Sequence, residues 1–438
     1  MKPTALVVGT TLAGLTTAFY LARRGYAVTL LEQPPPHDTS AQHSPEDDAL
    51  PPVLMGCHTA TYALLDTLGT ADSVQFNDRI GLELHADRRL VRLRRPLLPA
   101  PLHALAGLAL FTGMPVRDRW RLLMWVERTW EQDPALPVDL DSHTAEAWLR
   151  GIGQSEFARA QAWTPLSRFL IGDDVRTVSA ATFLSTLMRC FLSSRRHSQL
   201  AVPVLSLDRL LHQPLRKALI GMGVSLKTGY ADRLDFSGQA VRGLQLKTSD
   251  ALTADWYILA LPHAHVTPLL PERVLTRFSY FQHIDALVDT PAVAVHLRID
   301  RPVHSPRVLL LAERTFHWMC VKPTGDYPHT VISFVMTGAP EWLVRPDKDL
   351  LDCAGEDLQY VVPAFSTAQR FSHHIVREPR ACLSMKPGTT AHRPLQRSPF
   401  PNLLLAGEWT DTGLPSTVES AIVSGNRCAQ IIADQTQG

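Results

Sequence analysis

One segment, Thr4 to Glu32, constrains the fold more than any other. Thr4-Ala-Leu-Val-Val8 is a short apolar run without alternation, as expected of a strand in a parallel sheet covered on both faces. Gly9-Thr10-Thr11-Leu12-Ala13-Gly14 follows, and the apolar spacing from Leu15 to Arg24 predicts a helix. Gly25 stops that helix, and Ala27 to Leu31 is a second apolar strand. Strand, glycine-bounded turn, helix and strand make one βαβ unit, which commits the chain to an α/β class.

The turn is close to the dinucleotide fingerprint G-x-G-x-x-G. Gly9 stands where the chain must turn sharply out of the strand, and Gly14 where the helix must pack close to the sheet. The amide N–H groups of Thr10 to Ala13, at the start of the helix, are placed to hold a pyrophosphate. Glu32 ends the second strand, in the position of the acid that binds a ribose hydroxyl. Thr11 takes the place of the middle glycine and adds a branched side chain on the path of the pyrophosphate. The expectation is a Rossmann-like dinucleotide fold whose site is intact or weakened.

The remaining segments alternate in character. Strand-like runs at Val224–Lys227, Tyr230–Leu234, Ala240–Lys247, Trp256–Leu261 and Asn402–Ala406 resemble the first unit, and Val418–Ile432 is a closing helix. Gly81–Leu93 has the alternation of a hairpin. Leu97 to Cys190 is helical in pattern, with Trp120, Leu123, Met124, Trp130 and Trp148 spaced as a core stripe. Thr290–Ile299 and Val331–Thr337 look like strands of another sheet. The layout is two interleaved domains. Residues 1–95, 200–270 and 395–438 form the Rossmann-like domain, and 96–199 with 271–394 form an α+β substrate domain.

Composition narrows the partners. Among 438 residues, 43 Lys plus Arg balance 42 Asp plus Glu, which excludes a generally basic nucleic-acid binder. The six cysteines lie far apart and make no C-x-x-C pair, so they point to reduced thiols in a cytoplasmic protein rather than to zinc. The eighteen histidines show no metal-ligand spacing, and no metal is expected. Leu97–Val116 carries no charge but is broken by Pro99, Pro101, Gly113 and Pro115. Its helical core of about 12 residues is too short to span a bilayer. It is either a buried helix or an apolar patch for peripheral contact with the inner membrane. Arg88-Arg89, Arg92, Arg94 and Arg95 beside it are a solvated face or a contact for lipid headgroups or a diphosphate-bearing partner.

The segment Asn402-Leu-Leu-Leu-Ala-Gly-Glu-Trp-Thr-Asp-Thr-Gly-Leu-Pro-Ser-Thr-Val-Glu-Ser-Ala-Ile-Val-Ser-Gly425 resembles the closing flavin motif of the amine oxidase and carotenoid desaturase superfamily. More narrowly, it is similar to the hydroxysqualene dehydroxylases, as are Leu54–Leu65, Ser193–Pro203 and Ala254–Pro262. The resemblance implies FAD, bound by Gly407, Glu408, Pro415, Thr417 and Val418 as well as by the N-terminal turn. In that role Glu408 accepts hydrogen bonds from ribityl hydroxyls, its alternative being a surface carboxylate capping a loop. Thr417 and Val418, behind Pro415, start a helix whose N-terminus favours negative charge on a reduced flavin.

The resemblance implies an oxidoreductase of a long-chain isoprenoid, and most narrowly the replacement of the hydroxyl of hydroxysqualene by hydrogen. A carotenoid-type desaturase would run the redox chemistry the other way. Three features depart from the pattern: Thr11, the absence of paired glycine and arginine across Gln33–Asp48, and Asp48-Ala-Leu-Pro-Pro52 in place of a D-x-G-Q-H-like run. All three fall on the N-terminal half of the flavin site. They favour a competing reading, a flavin-poor or flavin-free homologue that serves as a binding or scaffold subunit for a protein partner. No catalytic acid is identified by the sequence.

Overall fold

The computed structural model describes residues 2–34, 48–76, 80–87, 89–130, 139–300, 307–323, 330–361 and 370–437. Most of the Gln33–Pro52 loop, residues 35–47, lies outside the described residues.

Strand β1 (Thr4–Val8) is central in a parallel sheet of five described strands. The order runs Leu403–Leu405, Trp256–Leu259, β1, β2 (Ala27–Glu32), Ser225–Thr228. Alternate residues of β1 enter different cores, which is why the run is apolar throughout. Ala5 and Val7 face helix α1 (Leu12–Arg23) and the C-terminal helix Val418–Gln437, through Leu15, Ala18, Ile422 and Ala429. Leu6 and Val8 face the small antiparallel sheet of Ala231–Ser237, Ala240–Leu246 and Ala251–Leu252. Full burial of each such side chain stabilises the fold by roughly 1.5–3 kcal/mol. Three distant pieces of chain thus share one core.

A second sheet of seven described strands carries the other half. It runs Arg370–Leu383, Asp289–Ile299, Thr330–Thr337, Trp318–Pro323, Arg307–Leu311, Ile80–Ala86, Arg89–Arg94. Neighbours are antiparallel except Arg307–Leu311 beside Ile80–Ala86, which are parallel. The hairpin at 80–94 therefore belongs to this sheet, which corrects its assignment to the first domain within 1–95. Leu84 is buried on one face of it, and Glu83 is ion-paired with both Arg92 and Arg307, which pins the edge.

Helix α2 (Thr59–Leu68) has the bounds that its pattern suggests. The uncharged stretch at 97–116 forms helix α3 (Leu102–Ala109), followed by α4 (Val116–Trp130). Helix α3 is half-buried: His103 and Gly107 face inward, while Leu102 (51%) and, beyond the helix, Leu97 (86%), Leu110 (60%), Val116 (72%) and Trp120 (64%) are exposed. Trp120 is accordingly no core residue, whereas Trp125 and Trp148 pack edge to face at 5.0 Å. In the arginine run beside it Arg89, Arg92 and Arg94 are solvent-exposed, Arg92 also pairing with Glu83, whereas Arg95 is buried. Among the described residues no helix is long and apolar enough to cross a membrane.

Candidate active site

The site is built at the carboxyl ends of the parallel strands, the ligand-binding edge of open α/β sheets. Gly9 leaves β1 at φ 107°, and a Cβ there would lie 2.2 Å from the Ala260 carbonyl oxygen. At Gly14 a Cβ would lie 2.3 Å from the carbonyl oxygen of Gly9. Both positions exclude a side chain for the reasons the motif gives.

Thr10 is half-buried in the turn between them, and Thr11 begins α1 as its N-cap. The Thr11 hydroxyl accepts from the Gly14 N–H at 3.3 Å and donates to the Ala260 carbonyl at 3.0 Å. The helix consequently starts at Leu12, earlier than the apolar spacing indicates, and one N–H that could meet a phosphate is engaged by the cap. Leu12 and Ala13, both buried, form the first turn. Glu32 stands at the end of β2, where its carboxylate accepts hydrogen bonds from Arg216. A ribose hydroxyl there would share the carboxylate with that guanidinium.

The C-terminal motif closes the other side. Gly407 follows the strand Leu403–Leu405, and its N–H donates to the Ser424 hydroxyl at 3.0 Å. The loop behind it is held by Arg393, which the sequence reading did not single out. Its buried guanidinium donates to the carbonyls of Glu408 (2.9 Å), Trp409 (3.2 Å), Leu414 (2.6 Å) and Thr410. Burial lowers its pKa to about 10, still charged at neutral pH.

Past Pro415, the Thr417 hydroxyl accepts from the Ser420 N–H at 3.2 Å and caps the C-terminal helix. Thr417 and Val418 line a cavity of about 240 Å³ together with Met55, Cys57, His58, Arg189 and Cys190. Burial, with help from Arg189, lowers the His58 pKa to about 4, so the imidazole is neutral. Its Nδ1 accepts the Met55 N–H at 3.3 Å. Glu419, 1% exposed, also lines this cavity and reaches the start of α2. It accepts from the N–H groups of Ala60 (3.0 Å) and Thr61 (2.8 Å) and from the Thr61 hydroxyl (2.7 Å).

Glu408 is not on that cavity. Its carboxyl faces a separate pocket of about 240 Å³ shared with His263, Asp289, Glu378 and Arg380. Burial raises its pKa, and nearby Asp289 adds to the effect. Asp289 is itself hydrogen-bonded to His263 at 3.0 Å. The structure therefore brings Pro415, Thr417 and Val418 together and places Glu408 beside, not among, them.

A third cavity, of about 160 Å³, is apolar, with walls that include Leu84, Phe111, Leu122, Trp125, Trp163 and Leu310. Two stretches of chain contribute to both this cavity and the Thr417 cavity: helix Thr164–Leu170, through Leu166 on one side and Phe169 and Leu170 on the other, and helix Ala180–Leu187 with its π-helical continuation Met188–Leu192. Ser185, Thr186, Arg189 and Cys190 face the Thr417 cavity, whereas Leu184, Leu187, Met188 and Phe191 face the apolar one. A π-helical turn at such a partition shifts the register of the two faces.

The sequence profile of the flavin containing amine oxidoreductases matches residues 49–433. The chain belongs to that family. Its 15-cis-phytoene desaturase relative from an Oncidium hybrid cultivar is 26% identical, with 98% of this chain and 78% of the relative covered. The 15-cis-phytoene desaturase of Synechococcus elongatus is 24% identical over 98% of this chain and 96% of its own. Zeta-carotene desaturase of Synechocystis is 22% identical over 98% and 97%. Among solved structures, cyclohexylamine oxidase from Brevibacterium oxydans superposes with a TM-score of 0.72, at 17% identity and 100% coverage of both chains. A putrescine oxidase triple mutant gives 0.73 at 14% identity, with 99% of each chain covered. These superpositions show the fold of the family.

Membership of this flavin amine oxidoreductase family implies a flavin cofactor, and the residues present fit one. The backbone is bare at Gly9 and Gly14, and a helix start faces outward on each side. At the nucleotide end Thr11 engages the Gly14 N–H and Arg216 pairs with Glu32. The narrower expectation of hydroxysqualene chemistry finds no counterpart in these relatives, which are named as carotenoid-type desaturases.

Proposed function

We propose that this protein is an FAD-dependent oxidoreductase that desaturates a long-chain isoprenoid. The observation that carries this reading is the pair of cavities on opposite sides of 184–192. One is bounded by the capped helix start that suits a flavin, and the other is lined with hydrocarbon side chains. The names of the relatives support the same substrate class.

Bound FAD would supply the two-electron acceptor for forming a carbon–carbon double bond. The first turn of α1, from Thr10 to Ala13, would hold the diphosphate, and Glu32, shared with Arg216, the ribose. Gly407, Pro415, Thr417 and Val418 would shape the wall at the ring system, where the helix dipole favours negative charge. Arg393 keeps that loop in place through four carbonyls. Glu408, behind the loop, keeps a carboxyl whose raised pKa suits a hydrogen-bonding rather than a charged role. Leu84, Phe111 and Trp163 exclude water and align the chain of the substrate. The exposed apolar surface of α3 and α4 adjoins this cavity through Phe111 and Leu122, and would take up the substrate from a membrane surface.

The test uses purified protein loaded with FAD. Flavin absorbance retained through gel filtration, and a melting temperature raised by added FAD, are expected. Colourless protein with no thermal response would overturn the enzyme reading in favour of a flavin-free scaffold. Under anaerobic conditions a saturated-bond polyene such as phytoene should bleach the oxidised flavin. Should phytoene leave it unchanged while hydroxysqualene reoxidises the reduced flavin, the reaction is dehydroxylation and not desaturation.

A further inference from the structure

Cys57 and Cys190 are 133 positions apart in the sequence, yet their sulfur atoms lie 3.7 Å apart, both buried and both on the wall of the Thr417 cavity. Cys57 sits just ahead of α2, and Cys190 lies within the π-helical turn that borders both cavities. Both side chains pack within the apolar core, where two methyl groups would serve as well. Their contact places two potential redox partners within a side-chain rotation of a bond, which needs a sulfur separation of about 2.0 Å.

We propose that Cys57 and Cys190 form a redox-active dithiol whose oxidant is a small hydroperoxide, with Cys57 the attacking and Cys190 the resolving thiol. The cavity beside them has room for such an oxidant. In the first step the Cys57 thiolate attacks one peroxide oxygen, the O–O bond breaks, and Cys57 becomes a sulfenic acid as hydroxide (or alcohol) leaves. In the second, Cys190 gives up its proton and attacks the Cys57 sulfur, and the sulfenic oxygen departs as water. Two thiols and one hydrogen peroxide become one disulfide and two waters.

The assignment of roles follows from the surroundings. The contact with Cys190, in which either sulfur can donate, lowers the Cys57 pKa, and Arg189, whose guanidinium donates to the Cys57 carbonyl at 3.4 Å, assists, against burial and Glu419. The same contact, together with burial, raises the pKa of Cys190. The remaining buried thiols are poor competitors, because burial pushes Cys320 and Cys382 up to about 12. The disulfide would tie the turn ahead of α2 to the partition between the cavities and so couple oxidation to the shape of both.

The experiment is peptide mapping of the full-length protein after brief treatment with hydrogen peroxide. A Cys57–Cys190 disulfide reversed by dithiothreitol, with loss of two titratable thiols, is the expected result. In Cys190→Ser, Cys57 should accumulate as a sulfenic acid trapped by dimedone. In Cys57→Ser, Cys190 should stay a thiol. The proposal is overturned if native wild-type protein keeps both thiols, or if the linkage forms no faster than pairs with the other four cysteines. Mapping the unmodified chain decides this even if a variant fails to fold. It needs no flavin, so its outcome is separate from that of the desaturase reading.

Discussion

Glu419 joins three parts of the chain with one carboxylate. The residue before α2, His58, makes no side-chain cap, so the first N–H groups of that helix depend on a carboxylate more than 350 positions away. Arg189 approaches the same carboxylate at 3.5 Å. Glu419→Ala should cost about 2–4 kcal/mol, from a lost cap, charged hydrogen bonds and buried donors left unpaired. Urea unfolding measures it, and a loss under half a kcal/mol would mean that water replaces the carboxylate. Thr11 raises a different balance. Thr11→Gly restores the bare backbone of the fingerprint and gives up the cap, at a cost of about 0.5 kcal/mol. It should lower the dissociation constant for FAD in a fluorescence titration. An unchanged or weaker affinity would mean that the threonine is not an obstacle. The residues Gly9, Gly14, Thr417 and Val418 were legible because each obeys a local rule of turn or cap. Arg393, Cys190 and Glu419 were not, because their partners are brought to them only by the fold.

Helices α3 and α4 illustrate the same limit for whole elements. The apolar, uncharged sequence of α3 is equally suited to a core and to a surface, and only the packing distinguishes the two, whereas α4 sets Trp120 among Arg117, Asp118, Arg119 and Arg121. Gly107 lies against the Arg94 carbonyl, which fixes one side of α3 and leaves Leu102 and Leu110 outward. Such a cluster, with Trp120, has the form of an interfacial anchor. The pair Leu110→Asp and Trp120→Asp should reduce sedimentation with phospholipid vesicles at least tenfold, since each side chain withdrawn from lipid forfeits roughly 1.5–3 kcal/mol. Both are exposed, so the melting temperature should stay unchanged. Equal sedimentation of the variant would remove the membrane contact from the proposed function. The hairpin at 80–94 was read correctly as two strands but attached to the wrong sheet. Its alternation gives strand and face, whereas its neighbour, Arg307–Leu311, comes more than 200 residues later and leaves no trace in the hairpin itself.

On the scale of the molecule, burial of neutral histidines sets how stability responds to acid. His58 is lowered to about 4 and His317 to about 3, chiefly by burial and with Arg189 and Arg168 as the respective nearby cations. The Nδ1 of His317 accepts the Thr337 N–H at 3.1 Å, which requires the unprotonated ring. In the unfolded chain both rings take up protons near pH 6.5, but in the native protein they do not. The unfolded state therefore binds more protons as the pH falls from about 6.5 towards 4, and native stability drops. Each histidine contributes on the order of 2 kcal/mol of loss between pH 6.5 and 5. Asp173, Asp357 and Glu408 act in the opposite direction, because burial raises their carboxyls. Their effect moderates the slope. The urea midpoint should be lower at pH 5 than at pH 7.5, and His317→Gln should remove part of the dependence while lowering stability at neutral pH, the rest staying with His58 and with His85, His103, His212 and His265, which burial also lowers. A variant as acid-sensitive as the wild type would move the response away from His317 to His58 and the other buried histidines.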